Sequence, residues 1–489
     1  AWSDIDKPEA VAESREHREW WKNFGDPVLD ALIDNAYAQN LGLQIAGLRV
    51  YEARAVLGVA TGTLYPQGQR AGASVSRIEL SENAEPVSNL PSAVGDLVDT
   101  SFNNYRLGID AAWELDFWGR FRRGVESADA NLAASIANYD DFLVTLTGEV
   151  ASAYVLLRTL EERLSYAEKN VAIQQRSLEI ADVRARNGLV TELDVQLART
   201  LLGNTRATIP VIKTGIRQSK LALGLLLGTT PGELSDILDA PGRIPDAPDS
   251  VAVGIPADLL RRRPDIRRAE LQAAAQSARI GVAQADLYPA FRLIGTVGYA
   301  AESTGDLISS DSVAGIGAIG FNWKFLNYGR LRNNVRVQDA KFQQAVAAYQ
   351  NTVLNAAREV EDGLVSFRNA REQVDFLTDS VKAARRAVEL AQTQYRDGVI
   401  SYSLVLDAQR FQLLIEDQLT KARGEVATGL IATYKALGGG WQLREGRPYL
   451  PAAVRASMSE RTNWGELLEA ESVQPLPAEQ RGTWRSPDP

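Results

Sequence analysis

The sequence has no cysteine, which excludes disulfides, thiolate metal sites and cysteine nucleophiles from this chain. It has one histidine, His17, in a charged stretch near the N-terminus, where it reads as a surface residue. A centre of several histidines is therefore excluded, and a Ser-His-Asp triad is not expected, since it would have to use His17. One methionine, Met458, argues against a conduit lined with thioethers for soft metals. No Walker A phosphate loop occurs, so any nucleotide-driven work falls to a partner. Positive charge is not in excess: the formal net charge is −9, which argues against a nucleic-acid partner. No run of about 18 apolar residues occurs, so no transmembrane helix is expected. That says nothing against membrane β-strands, whose alternation keeps mean hydropathy low. No signal-peptide pattern opens the chain, and its first residues, "AWSDID", read as a mature end. No metal, cofactor or catalytic constellation is expected, and the chain is not read as an enzyme.

What the sequence does have is a repeat. A shift of 210 residues places Trp113 on Trp323, Gly119 on Gly329, Tyr139 on Tyr349, Arg186 on Arg396, Gly188 on Gly398 and Gly228 on Gly438. Upstream, "LYP" at 64–66 matches "LYP" at 287–289 in a register of 223, so the first copy carries 13 more residues before its tryptophan. That surplus belongs in a loop. Each copy has the same order: a helix ending at "LYP", a hairpin-like region, a very long helix, a glycine break and another helix.

From Arg120 to Asn187, and again from Arg330 to Asp397, there is no proline. Each segment, if one helix, extends about 100 Å at 1.5 Å per residue. A rod of that length needs others beside it, as in a coiled coil or helical barrel. The alternative is two helices with a bend at Gly148 or Gly363.

"YRLGIDAAWELDFW" (105–118) alternates. Tyr105, Leu107, Ile109, Ala111, Trp113, Leu115 and Phe117 fall on one face, and Arg106, Asp110, Glu114 and Asp116 on the other. "IGFNWKFLNY" repeats the pattern with Ile319, Phe321, Trp323 and Phe325 against Asn322 and Lys324. "FRLIGTVGY" (291–299) and "QRAGASVSRIEL" (69–80) are weaker strand candidates. A soluble sandwich alternates in the same way. A lipid barrel is favoured by strand length and by aromatics near the strand ends, as in an interfacial girdle: Trp113, Trp118, Trp323, Phe325 and Tyr328. Four strands are too few to close a barrel, and open edges in lipid are costly. Copies of the chain must then close it, with eight strands from two chains or twelve from three.

"IPADLLRRRPDIRRAELQAA" (255–274), "WELDFWGR" (113–120), the two "LYP" segments, "RNGLVTELDVQLAR" and "YRDGVISYSLVLDAQR" resemble the TolC/OprM-like outer-membrane factors of bacterial efflux and secretion, in their OprM/NodT-type branch. The resemblance covers residues 20–445. It implies a mainly α-helical chain with a membrane β-barrel: a homotrimer whose twelve strands, four per chain, form an outer-membrane barrel continued by a long helical periplasmic tunnel. The partners it implies are a periplasmic adaptor, an inner-membrane pump of RND type and outer-membrane lipid. On this reading 1–26 is an extended N-terminal segment and 27–64 a helix. Hairpin 1 of the barrel is 65–118, the first long helical hairpin 119–228, and an equatorial linker 229–257. A helix follows over 258–287, hairpin 2 over 288–328, the second long helical hairpin over 329–438, and an equatorial segment with a polar tail over 439–489.

The resemblance also gives the two glycine breaks a role. They become the turns at the tunnel's periplasmic tip, with Gly188, Leu189, Val190, Gly398, Val399 and Ile400 exposed to the adaptor. Glycine suits such a position because it adopts a left-handed conformation cheaply. Asp407 is placed in the pore as a ring of carboxylates that favours cations, with Leu404 and Ser403 at the family's second constriction. Tyr395, Arg396 and Asp194 become a latch between hairpins. The plain alternative for Asp194 is a helix cap, since it lies three residues after Thr191.

Many members of that family carry a lipidated N-terminal cysteine. Either anchoring is dispensable here or that cysteine preceded Ala1. The leading function is a passive exit duct of a multidrug efflux system, opened by adaptor and pump. The rivals are a duct for secreted protein with the same fold and a soluble coiled-coil scaffold.

Overall fold

In the computed structural model, which describes residues 10–11, 18–81, 99–230, 238, 242–248, 251–252 and 263–469, the region expected as one helix over 27–64 is two. Helix α1 spans Pro27–Gln39 and α2 spans Leu41–Gly62. Asp26 caps α1 by accepting from the Val28 and Leu29 amides, with proline in the first turn. Asn40 makes the break. Its backbone is extended, its Oδ1 accepts from the Leu43 amide at 2.8 Å, and its Nδ2 donates to the Leu226 carbonyl at 2.7 Å. One side chain thus caps the start of α2 and satisfies a carbonyl at the end of a distant helix.

The long rods are continuous. Helix α3 spans Arg120–Arg186 and α6 spans Arg330–Arg396, 67 residues each. Neither Gly148 nor Gly363 interrupts its helix. A Cβ added at Gly363 would lie 3.0 Å from the Thr433 amide nitrogen, and one at Gly148 would lie 3.2 Å from the Lys435 side chain. Gly363 thus lets its backbone come close to that of another helix, whereas Gly148 leaves room for the Lys435 side chain. The return helices are α4, Glu192–Leu227, and α7, Tyr402–Ala436. Within α3 one stretch is apolar enough for a membrane span by length and composition, but 72% of it is buried in the fold.

Helix α5 spans Pro264–Ala285 rather than beginning near residue 258. Proline fills the first helical position and keeps Arg263 before it out of the helical region. Residues 258–262, the first part of the 255–274 motif, His17 and the tail from 470 lie outside the described residues, as does most of the 229–257 linker. The short helix α8, Ala452–Arg461, follows near the C-terminus.

Strands β1 (Ala10–Val11) and β4 (Val251–Ala252) form a two-residue parallel bridge. The main sheet is antiparallel, in the order β2 (Gly68–Glu79), β3 (Ser101–Glu114), β5 (Ala290–Ala301) and β6 (Val313–Asn322). The hairpin connections cover 80–100 and 302–312, so the first is the longer. Two boundaries differ from the sequence reading. Strand β6 is the glycine-rich "VAGIGAIGFN", and Trp323 and Phe325 lie beyond its end. Strand β3 stops at Glu114 because Asp116 turns to the start of α3, where it accepts from the Phe121 and Arg122 amides at 3.0 and 2.9 Å. Asp116 is a helix anchor, not part of the wet strand face.

The chain forms two units. One comprises residues 1–51, 134–270 and 348–473 and, where described, is almost wholly helical. The other comprises 52–133, 271–347 and 474–489 and holds the four-stranded sheet.

Candidate functional site

The two glycine turns are built alike. Gly188 has φ 69° and Gly398 φ 75°, both left-handed. The Gly188 amide donates to Ala185 O and the Leu189 amide to Arg184 O; the Gly398 and Val399 amides donate likewise to Tyr395 O and Gln394 O. This pair of bonds closes a helix whose last carbonyls lack partners. Leu189 and Val399 project outward, 71% and 72% exposed. Val190 and Ile400 turn inward instead, packing on a cluster of Ala181, Val195, Ala198, Leu201, Tyr395, Tyr402, Val405 and Leu406. The exposed apolar surface at the turns is therefore narrower than the sequence suggests.

The expected latch residues lie near one another but are not joined within the chain. Asp194 is committed to its own cap: its Oδ2 accepts from the Thr191 amide at 3.1 Å and the Thr191 hydroxyl at 2.9 Å. Arg396 donates to Gln392 O and Thr393 Oγ1 of its own helix. Tyr395 is buried, its ring 4.9 Å from that of Tyr402. The Tyr402 hydroxyl donates to Ser177 O at 2.8 Å, and burial holds its phenol above the ordinary value.

Beside the glycine turns, Arg184 also joins the two hairpins. It donates to Tyr395 O at 3.0 Å and Arg396 O at 3.2 Å, and its guanidinium sits 4.4 Å from the Tyr395 ring centroid. A planar fork suits two adjacent carbonyls at a helix end, where the partial charge is negative. The sequence signal was a basic residue in the last turn of α3. The repeat drew attention to Arg186 instead, because Arg186 aligns with Arg396 whereas Arg184 aligns with Gln394.

Helix α7 has two faces. Tyr402, Val405, Leu406 and Gln409 are buried, whereas Ser403, Leu404 and Asp407 are exposed, in line with Phe411 and Leu414. Asp407 lies 3.6 Å from Arg410, and Ser403 shares a 2.8 Å hydrogen bond with Ser401. The buried face becomes polar along the helix. Gln409 donates to Ser177 Oγ at 2.8 Å, and Glu416, 4% exposed on its side chain, accepts from Arg385 Nε at 2.8 Å, Asn170 at 3.1 Å and Gln412 at 3.1 Å. Replacing Glu416 with leucine leaves the buried Gln412 amide without its acceptor and Asn170 with Tyr166 O alone, at about 1–3 kcal/mol for a stranded donor. The expected result is a clear drop in the thermal midpoint of the detergent-solubilised protein, read by circular dichroism. Glu416→Gln should lose less, and equal midpoints for all three proteins would contradict this network.

In the sheet, the register sorts the side chains as the alternation indicated. Tyr105, Leu107, Ile109 and Trp113 share a face with Leu293, Val297, Ile319 and Phe321, most of them well exposed. The other face carries Arg70, Arg106, Asp110, Glu114, Arg292 and Thr296. Glu114 pairs with Arg292 at 3.0 Å and Arg120 at 3.1 Å, and Thr296 donates to Asp110 at 2.8 Å. At the end where strands meet helices, aromatics gather: Trp118 stacks on Tyr288 at 4.5 Å, and Phe117, Phe291 and Phe321 follow one another. Trp113 and Trp323 donate to Leu64 O and Leu287 O, the leucines of the two "LYP" segments. Tyr328 is 96% exposed with φ 50°, the one non-glycine residue at positive φ among the described residues. No group of side chains fit to hold a metal ion occurs among the described residues.

The chain has relatives among known proteins. Residues 32–229 and 255–439 match the model of a family described as "Outer membrane efflux protein". The chain is 32% identical over 441 residues to the pyoverdine export outer membrane protein OpmQ of Pseudomonas putida, covering 89% of this chain and 90% of that one. It is 33% identical over 434 residues to the solvent efflux pump outer membrane protein SrpC of Pseudomonas putida, covering 86% and 87%. Among solved structures it resembles the outer-membrane channel OprN with a TM-score of 0.83 at 32% identity, over 90% of this chain and 97% of that chain.

Proposed function

The chain belongs to the outer membrane efflux protein family, and we propose that three copies of it form the exit duct of a tripartite RND-type efflux system. It is an outer-membrane efflux protein, mainly helical with a small antiparallel sheet. The trimer is carried by one observation. The sheet ends on β2 and β6, both unpaired on their outer sides among the described residues, while its apolar face is exposed. Lipid accepts an apolar face but not unpaired edges. Pairing β2 of one chain with β6 of the next three times over gives a closed twelve-stranded barrel, with the charged face turned to the lumen.

A duplicated ancestral unit accounts for the halves of the chain. The two 67-residue helices begin and end 210 residues apart, the same turn closes each, and each hairpin tryptophan bonds its own "LYP" leucine. The glycine turns form the periplasmic tip, where Leu189 and Val399 meet an adaptor. Asp407 and Leu404 line the constriction, Ser403 borders it, and Arg184 holds the tip shut. Arg396 is free to reach the neighbouring subunit, while Asp194 serves its cap. The aromatics Trp113, Trp118, Trp323, Phe325 and Tyr328 belong to the girdle at the lipid interface. The exported compounds are carried passively, with energy from the inner-membrane pump, and the chain itself performs no catalysis.

The test is ion selectivity in planar bilayers. Asp407→Asn removes three carboxylates from one ring and is expected to lower the cation-to-anion permeability ratio by about twofold or more. An unchanged reversal potential in a KCl gradient would remove Asp407 from the pore.

A further inference from the structure

On the charged face of the sheet, the acids and bases are not evenly distributed. Near the helices Glu114 is matched by Arg292 and Arg120, and Arg70 stands opposite Asp110 in the register. A row of Gly72, Gly108 and Gly298 follows. Beyond that row, toward the hairpin loops, Arg106 is the one charged residue the described strands place on this face. Its cross-strand neighbours are Ser74 and Ala300. It is exposed and in no ion pair, and Glu302 just past the end of β5 does not reach it. Asp110, the nearest carboxylate along the strand, is about 13 Å away at 3.3 Å per residue and accepts the Thr296 hydroxyl.

We infer that Arg106, from three chains, forms an anion site in the lumen for multivalent phosphate-bearing solutes. The inference rests on the twelve-stranded barrel proposed above. Twelve strands at about 4.8 Å spacing and about 40° tilt give a circumference of about 75 Å and a backbone radius of about 12 Å. A long guanidinium side chain covers about half of that radius, so three such heads come within about 10 Å of one another, close to a Debye length. One triphosphate then bridges at least two of them, and the planar fork suits its oxygens. The low-dielectric wall of lipid strengthens the field along this stretch.

The experiment is calorimetric titration of inorganic triphosphate into the full chain in non-ionic detergent at low ionic strength, with light scattering to count subunits. The wild type is expected to bind one triphosphate per three chains. Arg106→Gln should bind about tenfold more weakly, the sum of three modest contacts. Arg106→Lys should recover most of that loss, and Arg70→Gln, whose site faces a carboxylate, should stay within about twofold of the wild type. A trimeric wild type that binds no triphosphate, or Arg106→Gln binding as the wild type does, overturns the anion site while leaving the duct intact. A folded monomer overturns the barrel itself, and the site with it.

Discussion

Replacing Arg184 with alanine is expected to raise single-channel conductance in planar bilayers severalfold, and by more than Arg396→Ala does. Arg184 holds the end of helix α6 through two backbone carbonyls and the Tyr395 ring, whereas Arg396 bonds only within its own helix. Charge-assisted bonds of this kind, half in solvent, contribute about 1 kcal/mol per chain. Three chains that open together lose about 3 kcal/mol, which moves the ratio of open to shut forms by roughly a hundredfold. Arg184→Lys keeps the charge but not the fork and should fall between. Equal conductance for wild type and Arg184→Ala would take the clasp out of the gate. A larger effect from Arg396→Ala would return the latch to that residue.

Gly298→Val is expected to abolish assembly. A Cβ at Gly298 would sit 2.3 Å from Leu107 O and 2.6 Å from Gly108 Cα, so the obstruction is backbone of the neighbouring strand and no rotamer avoids it. Forcing β3 and β5 apart costs about 3 kcal/mol or more per chain, at the centre of the sheet. Unheated membrane samples on a denaturing gel should show the wild-type trimer band and none from the variant. Gly72→Val is the control. It lies in the same row of the sheet with nothing within 4 Å of the added carbon, and it should assemble. A normal trimer from Gly298→Val would mean that the two strands are not so closely apposed.

Periodicity made the rods and the two-faced strands legible, because those features repeat over many residues and need only local chemistry. The left-handed glycine turns were legible for the same reason. What stayed hidden depended on a partner far along the chain. Asn40 splits α1 from α2 because a carbonyl from Leu226 is there to take its amide, and nothing near Asn40 announces that. Asp116 continued the alternation of β3, yet its side chain is claimed by the start of the next helix. Arg184 reads as an ordinary basic residue at a helix end until the carbonyls of Tyr395 and Arg396 appear beside it. The glycines at 148 and 363 read as weak points of the rods, and each instead leaves room for a neighbour, the Lys435 side chain at one and the Thr433 backbone at the other.

The helical unit is fastened in two unlike ways. Gly429 and Gly363 press backbone against Phe367 and Thr433, contacts that fit in one register only. Nearer the glycine turns, Gln409 meets Ser177 through an amide–hydroxyl hydrogen bond, which tolerates small shifts in distance and angle better than backbone packed on backbone does. Such a wall is stiff where carbon meets carbon and compliant where amides face hydroxyls, so mechanical strain applied to it will gather in the compliant stretch and leave the rest undeformed.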